Sequence, residues 1–145
     1  MGRDSHEKGI DILKSIEDKI HGKIVYCTNT PWEEAMLELK RSSILVVPSR
    51  MESIPQTIKE AYYFKIPVIA TNVGGIPDIV SHNKTGILIP SEDPLELTKA
   101  INSLLFNDSK IKDLTQNAYE FLIKNYSWDY LLPKYVEFYK NLIDD

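Results

Sequence analysis

The sequence predicts an α/β domain, a parallel sheet with flanking helices that is followed by a helical C-terminal tail. Three observations carry this expectation. Short β-branched runs recur up to Ile89, and they are continuously apolar rather than alternating, as strands buried on both faces are. Segments of helical length separate them, and strand–helix–strand alternation means a parallel sheet. Beyond Ile89 only helical patterns remain.

The elements follow in order. A periodic segment from about Glu7 to Ile20 reads as the first helix, Lys23–Cys27 as a strand and Trp32–Lys40 as a helix. Ser43–Val47 is the next strand, and Pro55–Phe64 a helix that Pro67 brings to a close. Pro67–Thr71 and Gly86–Ile89 complete the strands. Ser91-Glu92-Asp93-Pro94 then supplies cap residues and a first-turn proline for a helix from Pro94 to Phe106. A second helix follows Asn107-Asp108-Ser109. Ser127 opens a third, with Trp128, Leu131, Leu132, Tyr135, Phe138, Tyr139 and Leu142 at steps of three and four, interrupted by Pro133. With no internal repeat and no linker-like tract, residues 1–145 form one domain whose helical tail covers about 91–145.

Composition narrows the function classes. At 145 residues with 43% hydrophobic and 26% charged side chains, the chain is an ordinary globular domain rather than a disordered one. A net charge of −4 and no basic run longer than Lys40-Arg41 argue against nucleic acid as a partner. Cys27 is alone and His6, His21 and His82 are scattered, so no metal-ligand spacing exists and no metal site is expected. The first residues lack a signal-peptide apolar region, and Ile44–Val47 is far too short to span a bilayer. A cytoplasmic domain with no membrane association is the resulting expectation.

In open α/β sheets ligands bind beyond the carboxyl ends of the strands, so the segments after Val47 and Thr71 draw the search. After Val47 comes Pro48-Ser49-Arg50-Met51-Glu52-Ser53-Ile54-Pro55, then a helix carrying Thr57 and Glu60. A helix start presents unpaired N–H groups and a positive dipole end, which suits a phosphate. Glu52 and Glu60 flank that position, where carboxylates accept hydrogen bonds from sugar hydroxyls. After Thr71, Gly74-Gly75 allows close backbone approach, a second place to hold an anion or a sugar. On spacing alone, Glu52 and Glu60 read equally as solvated charges, Pro55 as an ordinary helix start and the glycine pair as a plain turn.

At these residues the sequence resembles the donor-binding C-terminal domain of GT-B fold, family 4 retaining glycosyltransferases (glycosyltransferase group 1). Glu52-x7-Glu60 is similar to the family's paired-glutamate element, embedded between Leu45-Val46-Val47-Pro48-Ser49 and Ile66-Pro67-Val68-Ile69-Ala70-Thr71. Gly74-Gly75-Ile76-Pro77-Asp78, Lys84-Thr85-Gly86-Ile87-Leu88-Ile89-Pro90, Asp93-Pro94 and Tyr126-Ser127-Trp128 resemble the blocks that follow. Near the start, Gly2-Arg3-x4-Lys8-Gly9 resembles an element whose Arg and Lys neutralise the donor diphosphate. Two departures stand out. Glu52-Ser53-Ile54-Pro55 replaces glycines common in the family, and the stretch from Lys8 to Ser43 is short for a full set of βα units, so the Rossmann-like sheet is expected to lack strands.

The resemblance implies that Glu52 lies at the donor sugar, with Arg3 and Lys8 as the other catalytic residues. It further implies that Ser53, Ile54 and Pro55 present backbone to sugar and diphosphate, that Thr57 lies near the phosphates, that Glu60 holds the ribose hydroxyls, and that Gly74 and Gly75 belong to the donor site. The implied reaction moves a hexose from a nucleoside diphosphate sugar to a hydroxyl with retention, without a metal or other cofactor. Family members house the acceptor in an N-terminal domain that is expected to be missing here, the chain being truncated on its N-terminal side and inactive alone. A glycosidase also uses paired carboxylates, but a phosphate site at a strand end fits a nucleotide better. The non-enzymatic alternative is a sugar-nucleotide-binding or protein-interaction module that docks a separate subunit through the Trp128–Leu142 stripe. A shortened sheet also leaves an edge open to self-association.

Overall fold

The computed structural model describes residues 5–143. Three parallel strands, β1 (Leu45–Val47), β2 (Val68–Thr71) and β3 (Ile87–Ile89), lie in the order β1-β2-β3. Leu45 sits beside Val68 and Ile69 beside Ile87. Around them run α1 (Ile10–Lys14), α2 (Trp32–Arg41), α3 (Gln56–Tyr63), α4 (Ile76–Ile79), α5 (Pro94–Leu105), α6 (Asp108–Tyr126) and α7 (Trp128–Ile143).

The absence of alternation in the strand sequences has its cause in packing on both faces. Val68 and Ala70 of β2 join a core with Met36, Leu39, Ile58, Tyr62, Ile79 and Leu122. Ile69, between them, points into the opposite core with Ile12, Ile16, Leu97, Ile101, Leu104 and Leu114. α2, α3 and α4 thus cover one face and α1 and α5 the other, while α6 reaches both, with Ala118 and Leu122 in the first core and Leu114 in the second.

Local chemistry sets the helix boundaries. Asp93 Oδ1 accepts the Glu96 N–H at 2.9 Å to cap α5, and Asn107 Oδ1 accepts the Lys110 N–H at 3.0 Å to cap α6. In the first core Tyr62, 1% exposed, ends a hydrogen-bond chain: the Ser81 N–H reaches Thr85 Oγ1 at 2.9 Å, and the tyrosine oxygen lies 3.1 Å from both Thr85 Oγ1 and the Ile79 carbonyl. Burial pushes the Tyr62 phenol up to about 12, so it stays a neutral donor. This chain ties α3 to the end of α4.

Two elements differ from the sequence expectation. The segment from Glu7 to Ile20 is not one helix but a 3-10 turn (His6–Lys8), α1 and a second 3-10 turn (Glu17–Lys19). The break is at Gly9, whose φ of +65° ends the first turn where the backbone crosses the Pro48 carbonyl. Lys23–Cys27 runs without strand pairing, and Val25 is exposed. Pairing needs a neighbour about 4.8 Å away. Here residues 23–27 and β1 border a cavity of about 430 Å³, lined by Ile24, Tyr26, Ile44, Val46 and Leu105 among others, and pairing resumes only as a single bridge at Thr28. β-branched composition suits a pleated surface but does not supply a partner.

Among the described residues little of the α7 stripe is covered, with Leu131 alone half-buried. Trp128 is 74% exposed, and Leu132, Tyr135, Phe138, Tyr139 and Leu142 all keep more than half of their surface in solvent. No helix among the described residues is long and apolar enough to cross a membrane.

Candidate functional site

The loop from β1 to α3 is built from both ends. At its start Ser49 is 1% exposed, and the equally buried Thr71 hydroxyl at the end of β2 donates to the Ser49 carbonyl. At its end Pro55, buried and extended, leads into α3 without any side-chain cap, and no acidic residue occupies the first turn. The Ile58 N–H turns back to the Pro55 carbonyl at 3.2 Å, so the N–H groups of Gln56 and Thr57 are those left, among the described residues, for an outside acceptor.

Glu52 is the centre of this loop. Its side chain is 10% exposed and forms an ion pair with Lys8, and Ser49 Oγ lies 3.5 Å from the same carboxylate oxygen. The sequence expectation had placed Lys8 and Glu52 at one site from separate motifs, and the fold brings them together across 44 positions. Thr57 lines the large cavity with Lys8, Ser49 and Glu52. Arg3 lies outside the described residues.

Gly74 and Gly75 support this loop from below. Gly74 has φ +52°, and a Cβ there would lie 1.7 Å from the Glu52 carbonyl oxygen; a Cβ on Gly75 would lie 2.1 Å from that of Ser53. The Gly75 N–H donates to the Glu52 carbonyl at 3.2 Å. The close approach these glycines permit is thus to the chain's own backbone, which fixes Glu52 and Ser53 in place. Ser53 and Ile54 are exposed at the loop tip.

Among the described residues, Glu60, on α3, shares no hydrogen bond or ion pair with the other expected site side chains. It accepts a hydrogen bond from the indole N–H of Trp32 at 3.0 Å. Trp32 was not singled out from the sequence, where a tryptophan opening a helix carries no signal of a partner 28 positions away.

Arg50 was also missed. Its guanidinium makes two 2.8 Å bonds to the Asp11 carboxylate, one of 2.8 Å to the His6 carbonyl and one of 3.0 Å to Glu92, while its backbone N–H reaches the Glu7 carbonyl at 2.7 Å. This fork ties residues 6–11 to the β1–α3 loop and so holds Lys8 over Glu52. The same bonds hold the Asp11 carboxyl down, to about 2. Gly9 completes the crossing, since a Cβ there would lie 2.0 Å from the Pro48 oxygen.

Residues 13–121 match the family model described as glycosyl transferases group 1. An uncharacterized glycosyltransferase of Methanocaldococcus jannaschii is 34% identical over 113 residues, 78% of this chain and 32% of the relative. A D-inositol 3-phosphate glycosyltransferase of Corynebacterium urealyticum is 30% identical over 112 residues, 77% of this chain and 26% of its own length. The chain thus spans about a quarter to a third of the length of these curated relatives. A 2-deoxystreptamine N-acetyl-D-glucosaminyltransferase of Niallia circulans aligns over 171 positions, more than the 145 residues of this chain, and so carries residues that this chain lacks.

Among solved structures, Anabaena HepE in complex with UDP superposes with a TM-score of 0.82 at 18% identity, over 97% of this chain and 48% of that one. The C-terminal domain of a glycosyl transferase group 1 family protein from Francisella tularensis gives 0.69 at 19% identity, over 88% of this chain and 84% of that one. These likenesses show a shared fold, the α/β architecture of GT-B glycosyltransferases.

Proposed function

The chain belongs to the group 1 glycosyl transferases, and from that premise we propose that it is the donor-binding half of a retaining enzyme that moves a hexose from a nucleoside diphosphate sugar to a hydroxyl acceptor. The observation that carries the proposal is the pairing of Lys8 with Glu52 beside the uncapped start of α3. A cation from the His6–Lys8 turn then meets a carboxylate and free N–H groups at the β1–α3 loop.

In this reading the diphosphate lies at the start of α3, where Lys8, Thr57, the N–H groups and, from its motif, Arg3 face its charge. The leaving diphosphate gains negative charge as the glycosidic bond breaks. Donors already in place stabilise that charge without reorganising, which takes the place of a metal in the proposal. Glu52 accepts from the sugar hydroxyls and holds Lys8, Ser53, Ile54 and Pro55 offer backbone to sugar and diphosphate, and Glu60 accepts from the ribose hydroxyls. Gly74 and Gly75 keep the loop at its height. The acceptor belongs to an N-terminal domain that the relatives' greater length accommodates, and the chain by itself binds donor without efficient transfer.

Calorimetric titration with UDP, GDP and UDP-sugars, on the wild type and on Glu60→Ala, tests this. A hydrogen bond to a charged group is worth about 1.5–3 kcal/mol, so the substitution should weaken a nucleotide by roughly ten- to 150-fold. Failure of every nucleotide to bind the wild type would refute the donor-site reading.

The exposed α7 stripe favours a second reading, a non-catalytic module that docks another subunit or a second copy. Sedimentation velocity separates self-association from the rest: a concentration-dependent shift that Phe138→Glu abolishes supports it, and identical monomer profiles for both chains remove it.

A further inference from the structure

We propose that Trp32 is a nucleoside-binding residue that carries the base of the donor on its indole face and orients Glu60 through its N–H. The inference deepens the donor-site reading and rests on it.

Trp32 opens α2 and is 63% exposed, outside both core clusters. Large aromatic side chains contribute to folding mainly through burial, and this one contributes little. Exposure alone would not single it out, since Phe106 and Trp128 are more exposed still. What distinguishes Trp32 is its hydrogen bond to Glu60 at 3.0 Å, which joins two elements at the carboxylate assigned to the ribose.

That bond has two consequences. An indole N–H only donates, so it fixes one carboxylate oxygen and leaves the other to accept from a hydroxyl. It also holds the ring beside that hydroxyl. In a nucleoside the carbon bearing the 2′-hydroxyl is bonded to the carbon that carries the base, so a ribose held by Glu60 places its base within reach of the indole. Among the described residues no other ring and no cation stacks on Trp32, and most of the side chain stays in solvent, where a base can reach it.

The chain has two tryptophans, so Trp128→Phe makes Trp32 the sole indole reporter. Titrated with UDP, this variant should lose indole emission along the same isotherm that calorimetry gives. Base–aromatic stacking is worth about 1–3 kcal/mol, so Trp32→Ala should weaken UDP by about five- to 150-fold. Trp32→Phe keeps a face and loses the N–H, and should fall between the two. Inorganic pyrophosphate, which has no base, should bind wild type and Trp32→Ala alike. If the wild type binds UDP while Trp32→Ala binds it equally well and the emission is unchanged, the proposal is overturned and the donor-site reading stands. If the wild type binds neither UDP nor GDP, both fall. Because Trp32 is exposed, Trp32→Ala should melt with the wild type, so a loss of binding will not reflect unfolding.

Discussion

Replacing Gly74 by Ala tests whether the position of Glu52 depends on the glycine pair beneath it. The new Cβ would lie 1.7 Å from the Glu52 carbonyl oxygen and 2.9 Å from its carbon, where ordinary contact begins at 3.4 Å. Both atoms are backbone, so no side chain can swing away and the loop itself must rise. The left-handed backbone adds about 1–2 kcal/mol for any residue with a Cβ. Overpacking of a tight contact adds about 1–3 kcal/mol more. Urea unfolding should therefore show a loss of about 2–5 kcal/mol. A reactive group misplaced by about 1 Å can lose a hundredfold, so nucleotide binding and any transfer should fall further than stability alone explains. Gly22→Ala is the control: its Cβ would meet only Leu105 Cδ1, at 3.5 Å, and both readouts should stay at wild-type values. A Gly74→Ala chain that unfolds at the same urea concentration and binds UDP within twofold of wild type would refute the reasoning.

Two further outcomes follow from the hydrogen bonds. Tyr62→Phe leaves the Thr85 hydroxyl and the Ile79 carbonyl without their buried partner and should cost about 1–3 kcal/mol in urea unfolding. Unchanged stability would mean that water enters there. The Asp11 carboxyl, held down to about 2 chiefly by its hydrogen bonds to Arg50, has a folded value below its ordinary 3.8. The stability this pair contributes is thus fully present above about pH 4 and lost as the pH falls toward 2. Both carboxylates on Arg50 are well exposed, so the effect should be small and weakened by salt. Asp11→Asn should flatten the acid limb in that window, and an unaltered limb would place the acid sensitivity elsewhere.

The parts of the fold that were legible in the sequence are those fixed by burial on two faces. Leu45–Val47, Val68–Thr71 and Ile87–Ile89 lie within the runs expected as strands because no alternation survives when both sides pack. Lys23–Cys27 has the same composition but stands across a cavity from β1, and nothing local records the distance to a partner. The helix expected from Glu7 to Ile20 breaks at Gly9 because of an oxygen on Pro48, again a contact distant in sequence. The site divides in the same way. Glu52, Lys8 and the glycine pair stood out by their place in motifs, whereas Arg50 and Trp32 act through partners 28 to 44 positions away, which leave no pattern in their neighbours.

The crossing of residues 6–11 over the β1–α3 loop bears on when the site exists during folding. Lys8, Gly9 and Asp11 are synthesised well before the residues they rest on, and the side-chain bonds that tie residues 6–11 to that loop span 39 to 44 positions. Closing such a loop costs entropy before any contact rewards it. The earliest-made part of the site thus depends on the longest closure within it, and a chain with its sheet already formed still needs that closure before a cation faces Glu52.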